Sequence, residues 1–525
     1  MRHSEMTRAH RLSLLLAAVT AIAAVPLSSC GTGGDSGGSP AVQTTQAPTP
    51  PEDRLDTDAT VNVRLTLEPT SLNTFTTAGV ALDQVLLDNV YQGLVSIDTN
   101  DRDKIVPALA RTWELSPDGL QYTFHLAPNA TFHDGSPLTA ADVVWSLRQE
   151  IAPGARALKA ADFSSVADVS APDPATVRIV AKQRDTTLLW ALSQRGGIVY
   201  KQGTDFAGLD GAENGSGPFR LAQWNRGSSI TLARNDSYWG ARPKVAKVVF
   251  HYIKDPNAAN NAEATGQTDI QAGADPTLLQ PFTGNDRFTV LRGTTTDKYT
   301  LAFNGTRAPF TDPAVRHAIR QATDTQAAIR TYGAGIAIGS DVPPQDPWYE
   351  DLTAIDSYNP DNARKLLAGA GFGNGLALTL DVPNIYPASI TDLLVSDLKK
   401  VGITLTVHQV EFQTWLSKVY AGKDFELSLV DHADARDLAN YTKPTYYFGY
   451  DNKQVQQWYD QARTAATDAE RDALLKKVAR QISEDAAAEW LLLAQTTTVV
   501  RQGVYGVPQA ETSNRYNLAT LAVAK

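Results

Sequence analysis

The chain has 525 residues, with 47 lysines and arginines against 57 aspartates and glutamates, a net charge of −10 at pH 7. That balance excludes a body held to nucleic acid or anionic lipid by its overall charge, and the length exceeds what one core supports, so two or three lobes are expected. The single cysteine, Cys30, excludes an internal disulfide, a cysteine nucleophile in the body and a thiolate metal cluster, and with both methionines (Met1 and Met6) in the leader a thioether copper site is excluded too.

The chain opens with a basic segment carrying Arg2, Arg8 and Arg11, followed by an apolar run over residues 12–26. The run is shorter than the ~20 apolar residues of a spanning helix and reads as a secretory leader. Leu27-Ser28-Ser29-Cys30 resembles a bacterial lipobox. That resemblance implies removal of residues 1–29 and lipidation of Cys30, which becomes the new N-terminus. Residues 30–57 then form a lipid anchor and a Gly/Ser/Thr/Pro-rich disordered tether, with ends about 25–30 Å apart as a random coil.

Strands and helices alternate from residue 60 onward, which points to a mixed α/β class. Residues 61–67 alternate apolar and polar and predict a half-buried strand. Residues 112–126 predict a hairpin about Ser116-Pro117-Asp118-Gly119, with Tyr122, Phe124 and Leu126 on one face. A helix is expected over 139–151, capped by Thr139 with Asp142 three residues on, its Val143, Leu147 and Ile151 facing a core. Asp312-Pro313 opens another, with Val315, Ala318, Ile319 and Ala322 as its inner stripe. Residues 362–375 read as a helix stopped by glycines, 402–409 as an alternating strand, 424–430 as a further strand, and 469–485 as an amphipathic helix before the apolar "EWLLLA".

The stretch "VPALARTWELSPDGLQYTFHLAPNATFHDGSPLTAADVVWSL" (106–147) resembles the signature of the peptide/nickel family of ABC-transporter solute-binding proteins. "GSGPFRLAQW" (215–224), "LAFNGTRAPFTDPAVRHAIRQATD" (301–324) and "NPDNARKLLAGAGF" (359–372) follow in the family's order, and the similarity covers residues 60–525. The resemblance implies a two-lobed periplasmic-binding-protein-like fold with an extra small domain and a hinge between the lobes. It places lobe I at 58–90, 185–300 and 495–525, the extra domain at 91–184, and lobe II at 301–494. Ligand is expected in the cleft, with lobe closure and no chemistry. The implied partners are a short peptide and the permease and ATPase subunits of an importer. The N-terminal lipid is the contact with the membrane, on its extracytoplasmic face. A monomer without cofactor or metal is expected.

One segment, "VDHADARDLANY" (430–441), concentrates Asp431, His432, Asp434, Arg436 and Asp437. Three readings stand side by side: a metal site using Asp431, His432 and Asp434; a solvated acidic loop; and a socket for a charged ligand. In peptide-binding members of the family an aspartate in this segment takes the ligand's α-ammonium. The resemblance carries that role to Asp434, with Asp437 the alternative, and puts His432 where the family often has tryptophan. It further implies that Ala78, Gly79 and Val80 on one side, and His432 and Ala433 on the other, offer strand edges to a peptide backbone. Phe412 falls where the family has an aromatic wall; core packing is its other reading. His133 and His317 are read as structural and exposed, respectively. The body of the chain holds no Gly-x-Ser-x-Gly elbow, no His-Glu-x-x-His and no P-loop, and no enzyme is expected. The rivals are the same receptor fold for haem, a nickel chelate or an oligosaccharide, a surface hydrolase, and a signalling receptor.

Overall fold

The computed structural model describes residues 45–77, 79–98, 101, 104–152, 157, 159–209, 214–510 and 514–525. Cys30, the leader and Ala78 lie outside the described residues.

The residue 61–67 pattern forms the strand Thr60–Leu65, flanked by parallel partners, Lys247–Tyr252 on one side and Ile270–Gln271 on the other. It is the centre of a seven-stranded sheet, ordered Phe288–Gly293, Thr496–Arg501, Ile270–Gln271, Thr60–Leu65, Lys247–Tyr252, Ser229–Arg234, Phe219–Asn225. The expected half-burial is corrected here. Arg64, on the polar face, is itself buried, because the carbonyls of Ile253, Ala272 and Gly273 receive its guanidinium at 2.8, 3.0 and 2.8 Å. A charged side chain satisfied by carbonyls can lie where periodicity alone predicts solvent.

A second sheet, of six strands, runs Gly335–Ile336, Ala488–Ala494, Lys298–Phe303, Leu427–His432, Leu376–Pro383, Ile403–Val410. Both of its faces are covered. Leu301, Phe303, Leu427 and Leu429 pack into one core, and Ala302, Val430 and Trp490 into another. Double coverage explains why "EWLLLA" reads as an unbroken apolar run, and Ala488–Ala494 is buried at every position. The helix Pro313–Ala322 closes one face with Val315, Ala318, Ile319 and Ala322 inward, as its stripe predicts. His317, read as exposed, is instead part-buried, with its Nδ1 2.7 Å from Asp356.

A four-stranded antiparallel sheet stands apart: Ala110–Leu115, Gln121–Leu126, Thr176–Ala181, Val166–Asp173. Its hairpin turns where expected, with Gly119 at φ 72° and Asp118 accepting from the Leu120 N–H. The helix Ala140–Ile151 packs here, its Thr139 N–H donating to Asp142 at 2.9 Å. His133 is buried near the start of this helix, its Nε2 3.0 Å from the Gly217 carbonyl oxygen.

The two large sheets make this the two-lobed mixed α/β architecture expected. The chain passes between them at residues 294–297 and again at Gln495. The seam expected between 300 and 301 falls inside Lys298–Phe303, which pairs along its length with second-sheet strands, so the crossing comes earlier. The two crossings lie side by side: the Ala494 N–H donates to the Asp297 carbonyl at 2.8 Å, and Thr295 Oγ1 to the Ala494 carbonyl at 2.5 Å. Two short adjacent segments are what a hinge requires.

Away from the hinge, the smaller sheet's side meets the second lobe through Asp185 and Arg463, 2.9 Å apart, and through the Thr186 N–H on the Arg463 carbonyl. Asp185 Oδ1 also accepts from the Thr187 N–H and hydroxyl, while its buried Oδ2 depends on Arg463. Arg463→Ala is therefore expected to widen the ligand-free molecule in small-angle scattering and, by leaving buried Asp185 without its cation, to lower stability by about 1–3 kcal/mol. An unchanged radius would show that this contact does not hold the lobes.

Candidate ligand-binding site

Strands Leu376–Pro383, Ile403–Val410 and Leu427–His432 run parallel, so their carboxyl ends share one edge of the second sheet. In open α/β sheets ligands bind beyond that edge. A cavity of about 650 Å³ lies there, lined from the first side by Asp83, Trp190, Arg195, Asn514 and Arg515. From the second side come Asp341, Trp348, Tyr420, Asp434, Arg436 and Asp437.

The first wall is fixed by ion pairs. Arg195 is buried and grips Asp83 through two hydrogen bonds of 2.5 and 2.6 Å; it also donates to the carbonyls of Thr77 and, at 2.6 Å, Gly79. Gly79 has φ 106°, and a Cβ there would meet nothing within 4 Å. Glycine suits the positive backbone angle at this position. Val80 opens the helix Val80–Leu86 and Gly79 is its N-cap, so these two residues present no strand edge. That part of the backbone-holding expectation is corrected: Arg195 gathers the preceding carbonyls, and the chain turns into a helix.

The second wall is built on Lys298, whose side chain is fully buried. Its Nζ lies 3.0 Å from Asp437 Oδ1 and donates to the carbonyls of Thr296 (2.8 Å) and Asp434 (3.1 Å). Burial works to raise the Asp437 carboxyl, yet Lys298 and then His432 hold it below its ordinary value. Asp437 is thus committed to an internal cation, which speaks against it as the ammonium acceptor. Asp434 differs. Its carbonyl serves Lys298, but its side chain is exposed, lines the cavity and has no ion pair among the described residues. Lys159, Lys443 and Asp434 all act on Asp162, so these four charges gather in one region of the cavity.

His432 is behind the wall, not in it. Its Nε2 is 2.9 Å from the Tyr447 hydroxyl, its Nδ1 3.5 Å from Asp437, and Tyr446, Tyr447 and Phe448 surround the ring. Along its length this strand pairs with Lys298–Phe303; on its other side the ladder to Leu376–Pro383 spans only Leu427 and Ser428. Beyond that, the Asp431 N–H donates to the Tyr386 hydroxyl at 3.1 Å. The Ala433 carbonyl is already taken by Asn514 (2.9 Å) and Thr296 (2.6 Å). Phe412 is 37% exposed and stacks on Trp415 at 5.9 Å, outside the lining residues. Tyr420, near the same Trp415, does line the cavity.

Sequence reasoning missed Lys298, Asp341, Trp190 and Trp348. Arg436 spans the cleft between the two tryptophans, 4.0 Å over Trp190 and 5.3 Å over Trp348. These side chains come from separate elements, and only a tryptophan count hints at them. As for a metal, Asp341, His432 and Asp437 each offer one atom within 4.8 Å of the others. Lys298 already supplies the positive charge there, and the set differs from the Asp431, His432 and Asp434 of the sequence reading. We assign no metal to it.

The fold and cleft define a two-lobed solute receptor. Residues 104–454 match the model for bacterial extracellular solute-binding proteins, family 5 middle region, and the chain belongs to that family, the solute-binding components of ABC importers. Among curated relatives, a glutathione-binding protein of Pectobacterium atrosepticum is 26% identical over 83% of this chain and 88% of its own length. A haem-binding protein of Haemophilus influenzae is 27% identical over 64% and 67%. The ABC transporter-associated periplasmic binding protein DppA of Helicobacter pylori, solved with the peptide STSA, superposes with a TM-score of 0.79 at 21% identity, covering 90% of this chain and 99% of that one. The family and these neighbours are solute-binding proteins, not enzymes.

Removing the Lys298 charge should expose how much the wall depends on it. Lys298→Met leaves Asp437 buried without its cation and is expected to cost about 3–5 kcal/mol in urea unfolding. The double variant with Asp437→Asn should recover part of that loss. No recovery would mean the two side chains are not coupled.

Proposed function

We propose that the protein is the lipid-anchored substrate-binding component of an ABC importer, taking short peptides by closure of its two lobes. The observation that carries the reading is Asp434: a carboxylate without an internal cation, at the carboxyl edge of the second sheet, facing a cavity of about 650 Å³. A peptide's α-ammonium pairs with it. Lys159 and Lys443, in the same region, are placed to receive carboxylate or carbonyl groups of the same guest. The cavity is of the size that takes small solutes, roughly 300–1,000 Å³. Glutathione, named for one relative, is a peptide of three residues and carries both charges.

Closure needs the guest to favour the closed form over the open one. Arg436 between two tryptophans and Asp185 with Arg463 bridge the lobes already, so the guest adds to contacts in place. Tethering through Cys30 keeps the receptor beside its permease.

Calorimetry with alanine peptides of two to five residues tests the ligand class. Asp434→Asn is expected to weaken binding about 10–100-fold, which is about 1.4–2.8 kcal/mol. N-acetylated peptides should bind both forms equally weakly, and bound peptide should be recovered intact after long incubation. Unchanged affinity in the variant would remove the ammonium socket; cleaved peptide would indicate a hydrolase.

The anchor is tested separately. Cys30→Ala is expected to move the protein from the membrane fraction to the medium, and retention in the membrane would contradict lipidation.

A further inference from the structure

One buried carboxyl on the cavity wall faces another carboxyl, that of Asp437, in place of an N–H or hydroxyl donor. Asp341, in the loop "GSDVPP", is 2% exposed and lines the cavity. Among the described residues neither of its oxygens meets an N–H or O–H group. Buried polar side chains ordinarily find a partner, because stripping one of water without replacement is costly. The charged and titratable groups that act on it are Asp437, Lys298 and Asp346, with Tyr441 and Tyr447 beside them and His432 beyond Asp437. Lys298 is the one permanent cation of that set, and its ammonium is already 3.0 Å from Asp437 and bonded to two carbonyls. Acid exceeds base at this spot, and the vacant acceptor belongs to the wall that meets the guest.

We propose that Asp341 is a second cation subsite of the cleft, receiving an ammonium or guanidinium that the ligand carries apart from its N-terminus, as a lysine or arginine side chain does. For the ligand's backbone this rests on the peptide reading above; for its charge it does not. Asp434 and Asp341 then divide the work, the exposed carboxylate taking the terminal ammonium and the buried one selecting basic guests.

The empty subsite solves its own solvation problem with a proton. Burial first, then the Asp437 charge, push the Asp341 carboxyl far above the usual carboxylate range, and the protonated acid in turn stabilises the Asp437 carboxylate. A cationic guest replaces that proton. The acid Asp341–COOH and the guest R–NH3+ become Asp341–COO− paired with R–NH3+, and one H+ passes to solvent. Because the complex binds one proton fewer than its separated parts wherever free Asp341 is protonated, affinity for such a guest rises with pH until free Asp341 or the amine loses its proton.

The test compares Ala-Lys-Ala and Ala-Ala-Lys with their norleucine counterparts by calorimetry on the full receptor, alongside 1,5-diaminopentane and Ni2+ alone. At least one lysine peptide is expected to bind about 10–100-fold tighter than its norleucine counterpart. Its binding heat should differ between buffers of different protonation enthalpy, reporting the released proton. Asp341→Asn should close the gap by weakening the lysine peptide, while Asp341→Glu, which keeps the charge, retains part of it; an unchanged thermal midpoint guards against misfolding. Equal affinities for lysine and norleucine peptides, or a gap that survives Asp341→Asn, overturn the proposal. If no peptide binds, the peptide reading fails, and the diamine decides: Asp341-dependent binding supports the subsite, and its absence overturns it. Ni2+ held by the wild type and lost in Asp341→Asn, with no preference for cationic peptides, overturns it in favour of a metal centre.

Discussion

Lys298 is the cation around which the second wall of the cleft is built. It starts a strand in the middle of the six-stranded sheet, beside one of the two crossings between lobes. From there one ammonium joins the crossing, through the Thr296 carbonyl, to the loop after Leu427–His432, through the Asp434 carbonyl and the Asp437 carboxylate. A buried ion pair of this kind contributes little net stability, because two charges lose their water to make it. Its consequence is positional. It commits Asp437 to the protein's own cation, holds the Asp434 backbone so that the side chain faces the cavity, and leaves Asp341 with no cation to spare.

The contacts across the cleft are of a different kind. Arg436 lies between Trp190 and Trp348, Arg463 meets Asp185, and Asn514 reaches the Ala433 carbonyl. Each is modest and polar or cationic, and each can be exchanged for water as the lobes part. The sheets behind them are apolar and continuous, with separate cores on the two lobes. A guest shifts the balance between open and closed forms by its preference for the closed one.

Much of the fold was legible because local rules and packing agree. The stripe Val315, Ala318, Ile319 and Ala322, the Asp118-Gly119 turn and the Thr139 cap each follow from short-range geometry, and each forms as read. The misreadings share a cause. Arg64 and His317 look solvent-facing by periodicity, yet carbonyls and Asp356 from distant segments satisfy them in partial or full burial. Phe412 is an exposed ring stacked on Trp415, and Tyr420 beside that tryptophan is the aromatic that lines the cavity there.

For the site the division is sharper. From the sequence alone come the charged segment 430–441 and the absence of catalytic motifs, since these rest on residue order along one chain, while the two-lobed class came from the resemblance of its motifs to a known family. Which acid in that segment is free was decided only by tertiary structure, because the answer depends on Lys298, more than a hundred residues away, and on the loop bearing Asp341. Charges read along a chain show their sign; their availability is set by the partners that folding brings within about 4 Å, where opposite charges interact most strongly.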